Sequence, residues 1–346
     1  MTRLKNRQWR LANHPMGMIK ESDFKWVEKE VEYELQEGEF LVKNYYLSLD
    51  PANRSWIAES SASHYTEPVK IGDVMRGITI GQVIESKNPK YDKGEFVTGI
   101  LGWQDYSISN GAGLTNLSLL PKPEGVSMAI YLNVFGMIGL TAFFGLLEIG
   151  KPKEGETLVV SAAAGAVGSL VGQIGKIKGC RVIGIAGTEE KCKWLTKELS
   201  FDGVINYKTE SVYKRLKELC PNGIDIYYDN VGGEILDAAL ANLALYARIP
   251  VCGMISKYNL TKLQPGPQNI VQILTKRAKM QGFIITDYLD RKVEAMVDLM
   301  TWFNEGKLKY REHMIEGLEN APTAINMLFD GSNNGKLIIQ IAKVPT

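Results

Sequence analysis

Residues 157–178 read TLVVSAAAGAVGSLVGQIGKIK, and the fold is decided there. Thr157 to Val160 form a short apolar run, the pattern of a buried strand. Small side chains come next, Ser161 through Gly168, where a chain must turn tightly from strand to helix. Val167, Leu170, Val171, Ile174 and Ile177 then recur at spacings of three and four, one apolar face of a helix. Gly172 and Gly175 would let that helix approach a sheet closely. Strand, turn and helix in this order suit a dinucleotide: helix N–H groups face the pyrophosphate and bare backbone lets it come close. The usual fingerprint is G-x-G-x-x-G, and Ala163 stands where its first glycine belongs. From this stretch alone, a tightly packed βα turn with no ligand is the alternative.

Outward from this stretch, strands alternate with helices. Strands are expected at 157–160, 181–186, 203–206, 224–229, 248–252 and 280–285. Helices are expected at 191–199, 212–219, 234–243 and 269–278, with a further one at 291–305. The alternation predicts a doubly wound parallel sheet, a Rossmann-type α/β domain. Before it, residues 40–120 show short β runs at 40–47, 73–84, 95–99 and 103–108, as in a compact β-barrel domain. Between the two, 128–135 and 140–147 have helical spacing. After it come a helix near 321–329 and a strand at 336–341, which is expected to rejoin the first domain. The expected organisation is therefore a β domain over 1–125 and 306–346, split around an α/β domain over 126–305.

Composition narrows the functional classes. The chain has 346 residues, 45% hydrophobic and 23% charged, with a formal net charge of +1. Nothing in that balance favours nucleic acid or an anionic membrane as partner. No apolar stretch approaches a spanning length, and the first ten residues lack the apolar core of a secretory leader, so the cytoplasm is the expected location. Cys180, Cys192, Cys220 and Cys252 form no metal-type pair, and the histidines are only His14, His64 and His313, so no metal site is expected. A G-x-S-x-G elbow is also missing. What remains is chemistry carried by a nicotinamide cofactor.

The second strand, RVIGIAGT, bears on which cofactor. NAD sites usually end this strand with a carboxylate for the ribose hydroxyls, and here it ends Ala186-Gly187-Thr188. Thr188 can cap the next helix and donate to a phosphate, and Lys191 lies in that helix's first turn. Glu189 and Glu190 suit the helix dipole but oppose an anion unless they point away. Tyr207, after the third strand, is a further candidate for this end of the pocket. Lys191 read alone could equally be a solvated lysine, and Tyr207 a strand-end cover. Asn230 ends the fourth strand in Asp229-Asn230-Val231-Gly232-Gly233 and could reach a ribose or simply make a turn. Cys252 opens the loop Cys252-Gly253-Met254-Ile255-Ser256-Lys257-Tyr258 and, with no histidine nearby in sequence, reads as a packed thiol.

These motifs together resemble the double-bond reductase branch of the zinc-independent medium-chain dehydrogenase/reductases. The resemblance is carried by YLSLDP (46–51), GWQDY (102–106), GLTA (139–142), AGAVG (164–168), YDNVGG (228–233), IPVCG (249–253), GFII (282–285) and EGLENAP (316–322). It implies a GroES-like β domain split around a Rossmann domain, NADPH as hydride donor, an enone or enal substrate, and a homodimer. It implies that Gly165, Ala166, Val167 and Gly168 hold the pyrophosphate and that Lys191 and Tyr207 serve the adenosine phosphate. Asn230, Cys252, Gly253, Ile255, Ser256, Tyr258, Phe283, Ile284, Ile285 and Asn333 would line the rest of the cofactor site. Tyr258 is the candidate donor to the substrate oxygen, with Tyr65 as a second. One departure is Asp50-Pro51-Ala52-Asn53-Arg54, where the family often has Tyr-Met in place of Ala-Asn. Asn53 and Tyr65 are the expected pocket residues there, and Trp56 could also compensate for the lost aromatic. Quinone reduction, or nucleotide binding without turnover, are the competing functions.

Overall fold

The computed structural model describes residues 2–59, 66–113, 117–123, 125–262 and 264–344. The chain divides into two compact units, Met1–Leu132 with Glu312–Thr346, and Asn133–Arg311.

The second unit is built on a six-stranded sheet in the order Gly203–Asn206, Arg181–Ala186, Thr157–Val160, Ile224–Tyr228, Leu243–Val251, Lys279–Gly282. Every pairing is parallel. The chain winds outward from Thr157–Val160 in one direction, then returns to lay Ile224–Tyr228 on its other side. The order therefore reverses between these two strands, which makes their carboxyl ends the place where such sheets open a ligand crevice. All four residues of Thr157–Val160 are buried, as a central parallel strand requires. The next helix, Ala166–Ile177, packs very closely. A methyl added at Gly175 would lie 2.4 Å from Leu158, and one at Gly172 would lie 1.9 Å from the Phe201 ring.

Several expected elements are cut short for local reasons. The expected strand at 280–285 leaves the sheet at Gly282, and the helix expected at 269–278 shrinks to Val271–Thr275 after a 3₁₀ turn. Arg277, at φ +50°, turns the chain away from helical geometry. The helix expected at 140–147 starts at Met137, runs to Phe144 and opens into a wider π-type turn over Gly145–Gly150. There an added methyl at Gly145 would lie 2.4 Å from both the Tyr228 hydroxyl and the Phe283 ring. No helix among the described residues is long and apolar enough to cross a membrane.

The first unit is an antiparallel sheet around Phe40–Ser48, which pairs with Ile78–Ser86, Tyr106–Ser109 and the late strand Lys336–Gln340. Two features lie outside the sequence expectations. Thr2–Leu11 and Phe24–Tyr33 form a long antiparallel ribbon, and Glu312–Glu316 pairs in parallel with Lys336–Gln340. The helix expected near 321–329 is broken into Ala321–Ala324 and Met327–Asp330. The core holds Trp103, Phe40, Leu47 and Leu11, each essentially without exposure. Lys336 is also buried, and its ammonium donates to Asp50 Oδ1 at 2.7 Å and to the Leu49 carbonyl at 2.8 Å. A buried charge of this kind is tolerated only when paired and hydrogen-bonded.

Glu312, the strand neighbour of Lys336, is treated less well. Its Oε1 is buried with no hydrogen-bond partner among the described residues, and burial pushes its carboxyl up to about 7. An acid whose pKa is raised on folding weakens the fold as pH climbs from the ordinary carboxylate range through about 7. Glu312→Gln should therefore flatten the loss of stability between pH 5 and 8, by about 1 kcal/mol once partial exposure is discounted. Urea unfolding of both proteins at the two pH values reads this; parallel pH profiles would count against it.

Candidate functional site

The strand–helix turn has the geometry of an anion cradle. Gly165 is the N-cap of Ala166–Ile177, in extended conformation, and its N–H donates to the Ala162 carbonyl at 2.9 Å. Ala162 sits at φ +47°, a strained conformation for a residue with a side chain. A methyl added at Gly168 would lie 2.4 Å from the Ala162 carbonyl oxygen and 2.9 Å from the Ala163 Cα. Both neighbours are backbone, so only glycine fits. Ala163 itself is fully buried against the next strand, where an added methyl at Gly184 would come within 3.0 Å of the Ala163 Cβ. The methyl in place of the fingerprint's first glycine is accommodated because the neighbouring strand has none.

The end of the second strand is free of carboxylate competition. Thr188 caps the helix Glu189–Lys197, its Oγ1 accepting from the Lys191 N–H at 3.2 Å, as expected for a cap. Glu189 lies 3.2 Å from the Lys193 ammonium, and Glu190 lies 3.8 Å from the Arg311 guanidinium. Both acids are thus beside cations of their own. Tyr207 comes after the third strand and covers Gly187: a methyl there would lie 2.8 Å from the Tyr207 ring and 2.9 Å from its hydroxyl oxygen. The structure thus brings Thr188, Lys191 and Tyr207 to one corner, with Tyr207 41% exposed.

At the switch point, Asn230 donates its amide to the Ser161 carbonyl at 2.8 Å. The loop after Leu243–Val251 hangs from the same turn: Cys252 and Gly253 donate backbone N–H groups to the Asp229 carbonyl, and Ile255 donates to that of Asn230. Ser256 Oγ donates to the Val231 carbonyl at 2.6 Å. The Tyr258 hydroxyl oxygen accepts from the Met254 N–H at 3.3 Å, which fixes the phenol over its own loop. Burial pushes the Cys252 thiol up to about 12, so it remains a neutral thiol, in keeping with a packed rather than nucleophilic role. Phe283 sets its ring edge-on to Tyr228, 6.4 Å between centroids, and Ile284 is extended before the 3₁₀ turn Ile285–Arg291.

In the first unit, Asn333 is 9% exposed and donates to the Gly335 carbonyl at 2.9 Å. Asn53 departs from the expected pocket role. It is 1% exposed, and its Oδ1 accepts from the Asp50 N–H at 2.7 Å, so its side chain braces the turn that carries Asp50. Tyr65 and His64 lie outside the described residues. Sequence reasoning missed Ser161 and Asp229. The only signal was their place as the first polar residues after two apolar strands.

Parallel sheet, switch point and glycine-dependent cradle together define a dinucleotide-binding fold. Residues 7–117 match the family described as "N-terminal domain of oxidoreductase", and residues 166–302 the one described as "Zinc-binding dehydrogenase". The chain is 46% identical to the NADPH-dependent curcumin reductase of Escherichia coli (strain K12), covering 98% of this chain and 97% of that protein. It is 41% identical to the NADP(+)-dependent 2-alkenal reductase of Nicotiana tabacum, covering 98% of each. The crystal structure of CurA from Vibrio vulnificus in complex with NADPH superposes with a TM-score of 0.90 at 46% identity, over 98% of this chain and 100% of that one. The chain belongs to the medium-chain dehydrogenase/reductases, in the branch of the curcumin, alkenal and prostaglandin reductases.

NADPH fits the residues present, because the cradle at Gly168 is closed to any side chain and no carboxylate ends the second strand. Among the described residues no three His, Cys, Asp or Glu side chains are grouped as a metal needs.

Proposed function

We propose that this protein reduces the carbon–carbon double bond of α,β-unsaturated ketones or aldehydes with NADPH. The observation that carries the reading is the 46% identity to a named NADPH-dependent curcumin reductase, spread over 98% of the chain. NADPH, when bound there, would supply the hydride that the β-carbon receives. The cradle at Gly165, Ala166, Val167 and Gly168 binds the pyrophosphate through helix N–H groups. Thr188, Lys191 and Tyr207 select the 2′-phosphate. Asn230, the loop of Cys252, Gly253, Ile255 and Ser256, and Phe283, Ile284 and Ile285 hold the ribose and nicotinamide side. As negative charge grows on the substrate oxygen, the Tyr258 hydroxyl donates a hydrogen bond to it, the type of interaction that lowers such barriers most. Tyr65 is the second candidate donor.

We also infer a homodimer and a cytoplasmic location. Lys279–Gly282 is an outer strand, and Ile270, Val271 and Leu274, just before it in the chain, are exposed apolar residues of the kind an interface covers. The functional reading is tested by following NADPH absorbance with a panel of enones, enals and quinones. Turnover is expected with enones or enals. Oxidation with quinones alone, or with nothing in the panel, overturns it.

A further inference from the structure

We propose that Ser161 and Asp229 are a positioning pair that ties together the two strands flanking the switch point and so sets how tightly the dinucleotide is held. This rests on the assignment of the switch-point crevice to NADPH.

Ser161 comes immediately after Thr157–Val160, and Asp229 immediately after Ile224–Tyr228. These are the two strands between which the sheet order reverses. Beyond this point the chain departs in opposite senses, to the phosphate cradle on one side and to the Asn230–Gly233 turn on the other. Ser161 Oγ donates to Asp229 Oδ1 at 3.1 Å and accepts from the Asn230 N–H at 2.9 Å. The same Oδ1 accepts from the Val231 and Gly232 N–H groups at 3.0 and 2.9 Å, and from the Tyr227 hydroxyl at 2.9 Å. Gly232 and Gly233 both take positive φ, so this turn is shaped to aim its N–H groups inward at the carboxylate. The Asp229 carbonyl meanwhile holds Cys252 and Gly253. One residue therefore fixes the start of the cradle, the Asn230 turn and the root of the Tyr258 loop.

The arrangement is not what stability alone would select. Both residues are completely buried, and Asp229 Oδ2 has no hydrogen-bond partner among the described residues. An unsatisfied buried acceptor opposes folding, and apolar groups of similar shape would avoid it. The carboxylate is thus tolerated for what Oδ1 organises. Of its four donors, Tyr227 approaches from the apolar core, while Ser161, Val231 and Gly232 lie in the turns that follow the two strands.

The test compares Ser161→Ala with Tyr227→Phe. Each deletes one hydroxyl hydrogen bond to the same oxygen, and Ser161→Ala also removes the acceptor of the Asn230 N–H, so a purely structural role predicts a larger loss of stability for Ser161→Ala and no change in binding for either. Dissociation constants for NADPH and NADH are read from cofactor fluorescence, with urea midpoints alongside. Ser161→Ala is expected to weaken both cofactors about tenfold, because the cradle shifts as a whole, while Tyr227→Phe stays within about twofold of the parent. Should Ser161→Ala not fold, Asp229→Asn, which keeps the size and one acceptor, carries the same expectation. Unchanged affinity in the folded variant overturns the proposal, as does equal weakening by Tyr227→Phe. Gly168→Ala separates this from failure of the site assignment. If Gly168→Ala binds both cofactors normally, the crevice itself is misassigned. If it weakens them and Ser161→Ala does not, only the positioning role is lost.

Discussion

Tyr258→Phe should lower kcat and kcat/KM on an enone together by roughly 10²–10³, equivalent to about 2.7–4 kcal/mol. The phenol is not a loose surface group. Its oxygen accepts from the Met254 N–H, and the loop beneath it is pinned to the Asp229 and Asn230 carbonyls. A donor held in place before the reaction strengthens its bond as the substrate oxygen gains charge, which stabilises the transition state more than the bound substrate. Phenylalanine keeps the ring and its packing, so a change in KM alone would indicate a binding surface and no more. Steady-state kinetics with NADPH and its deuterated form decide the matter. If the variant keeps most of its kcat while a deuterium effect shows hydride transfer limiting the rate, the donor is elsewhere, and Tyr65 is the next residue to replace.

Lys191→Ala should raise KM for NADPH far more than for NADH, by about 1.5–3 kcal/mol, the worth of one charge-assisted contact to phosphate. The expectation depends on the corner formed by Thr188, Lys191 and Tyr207. The two acidic residues in the same helical turn would oppose an anion if they faced it. Glu189 instead lies beside Lys193, and Glu190 beside Arg311, whose guanidinium also stacks over Trp194. Cofactor preference measured as the ratio of kcat/KM values should fall toward unity. Equal losses for both cofactors would mean that Lys191 does not reach the 2′-phosphate.

The α/β unit is the more legible part of the chain. Its central strands are short apolar runs bounded by turn residues, and the glycine-rich turn after Val160 marks the start of a helix. The strands at 157–160, 181–186 and 203–206 lie where the pattern puts them. Legibility fails where elements are half-exposed. Phe24–Tyr33 carries alternating charges that resemble a solvated segment, and Glu312–Glu316 has no fully buried residue to mark it. The break at Gly282 depends on Phe283 meeting Tyr228 and Gly145, contacts between residues far apart in the chain. For the proposed site, residue types and strand ends point to Thr188, Lys191 and Tyr207. Asn53 misleads because an asparagine next to a family motif looks the same whether it faces a ligand or braces its own turn. Ser161 and Asp229 escape notice because each is ordinary alone, and only the reversal of strand order makes them neighbours.

The buried contact between Ala163 and Gly184 bears on how this motif is recognised at all. Ala163 lies in the turn after one strand and Gly184 in the next strand. A methyl at 184 would meet Leu195 and Phe201 at 2.9 Å and the Ala163 Cβ at 3.0 Å, so glycine there answers to three neighbours, of which the alanine of the phosphate turn is one. A search that reads the phosphate turn as a continuous string sees a degraded match. One that reads residue 163 together with 184, 195 and 201 sees the packing that admits the alanine. Among relatives, these four residues should then vary together.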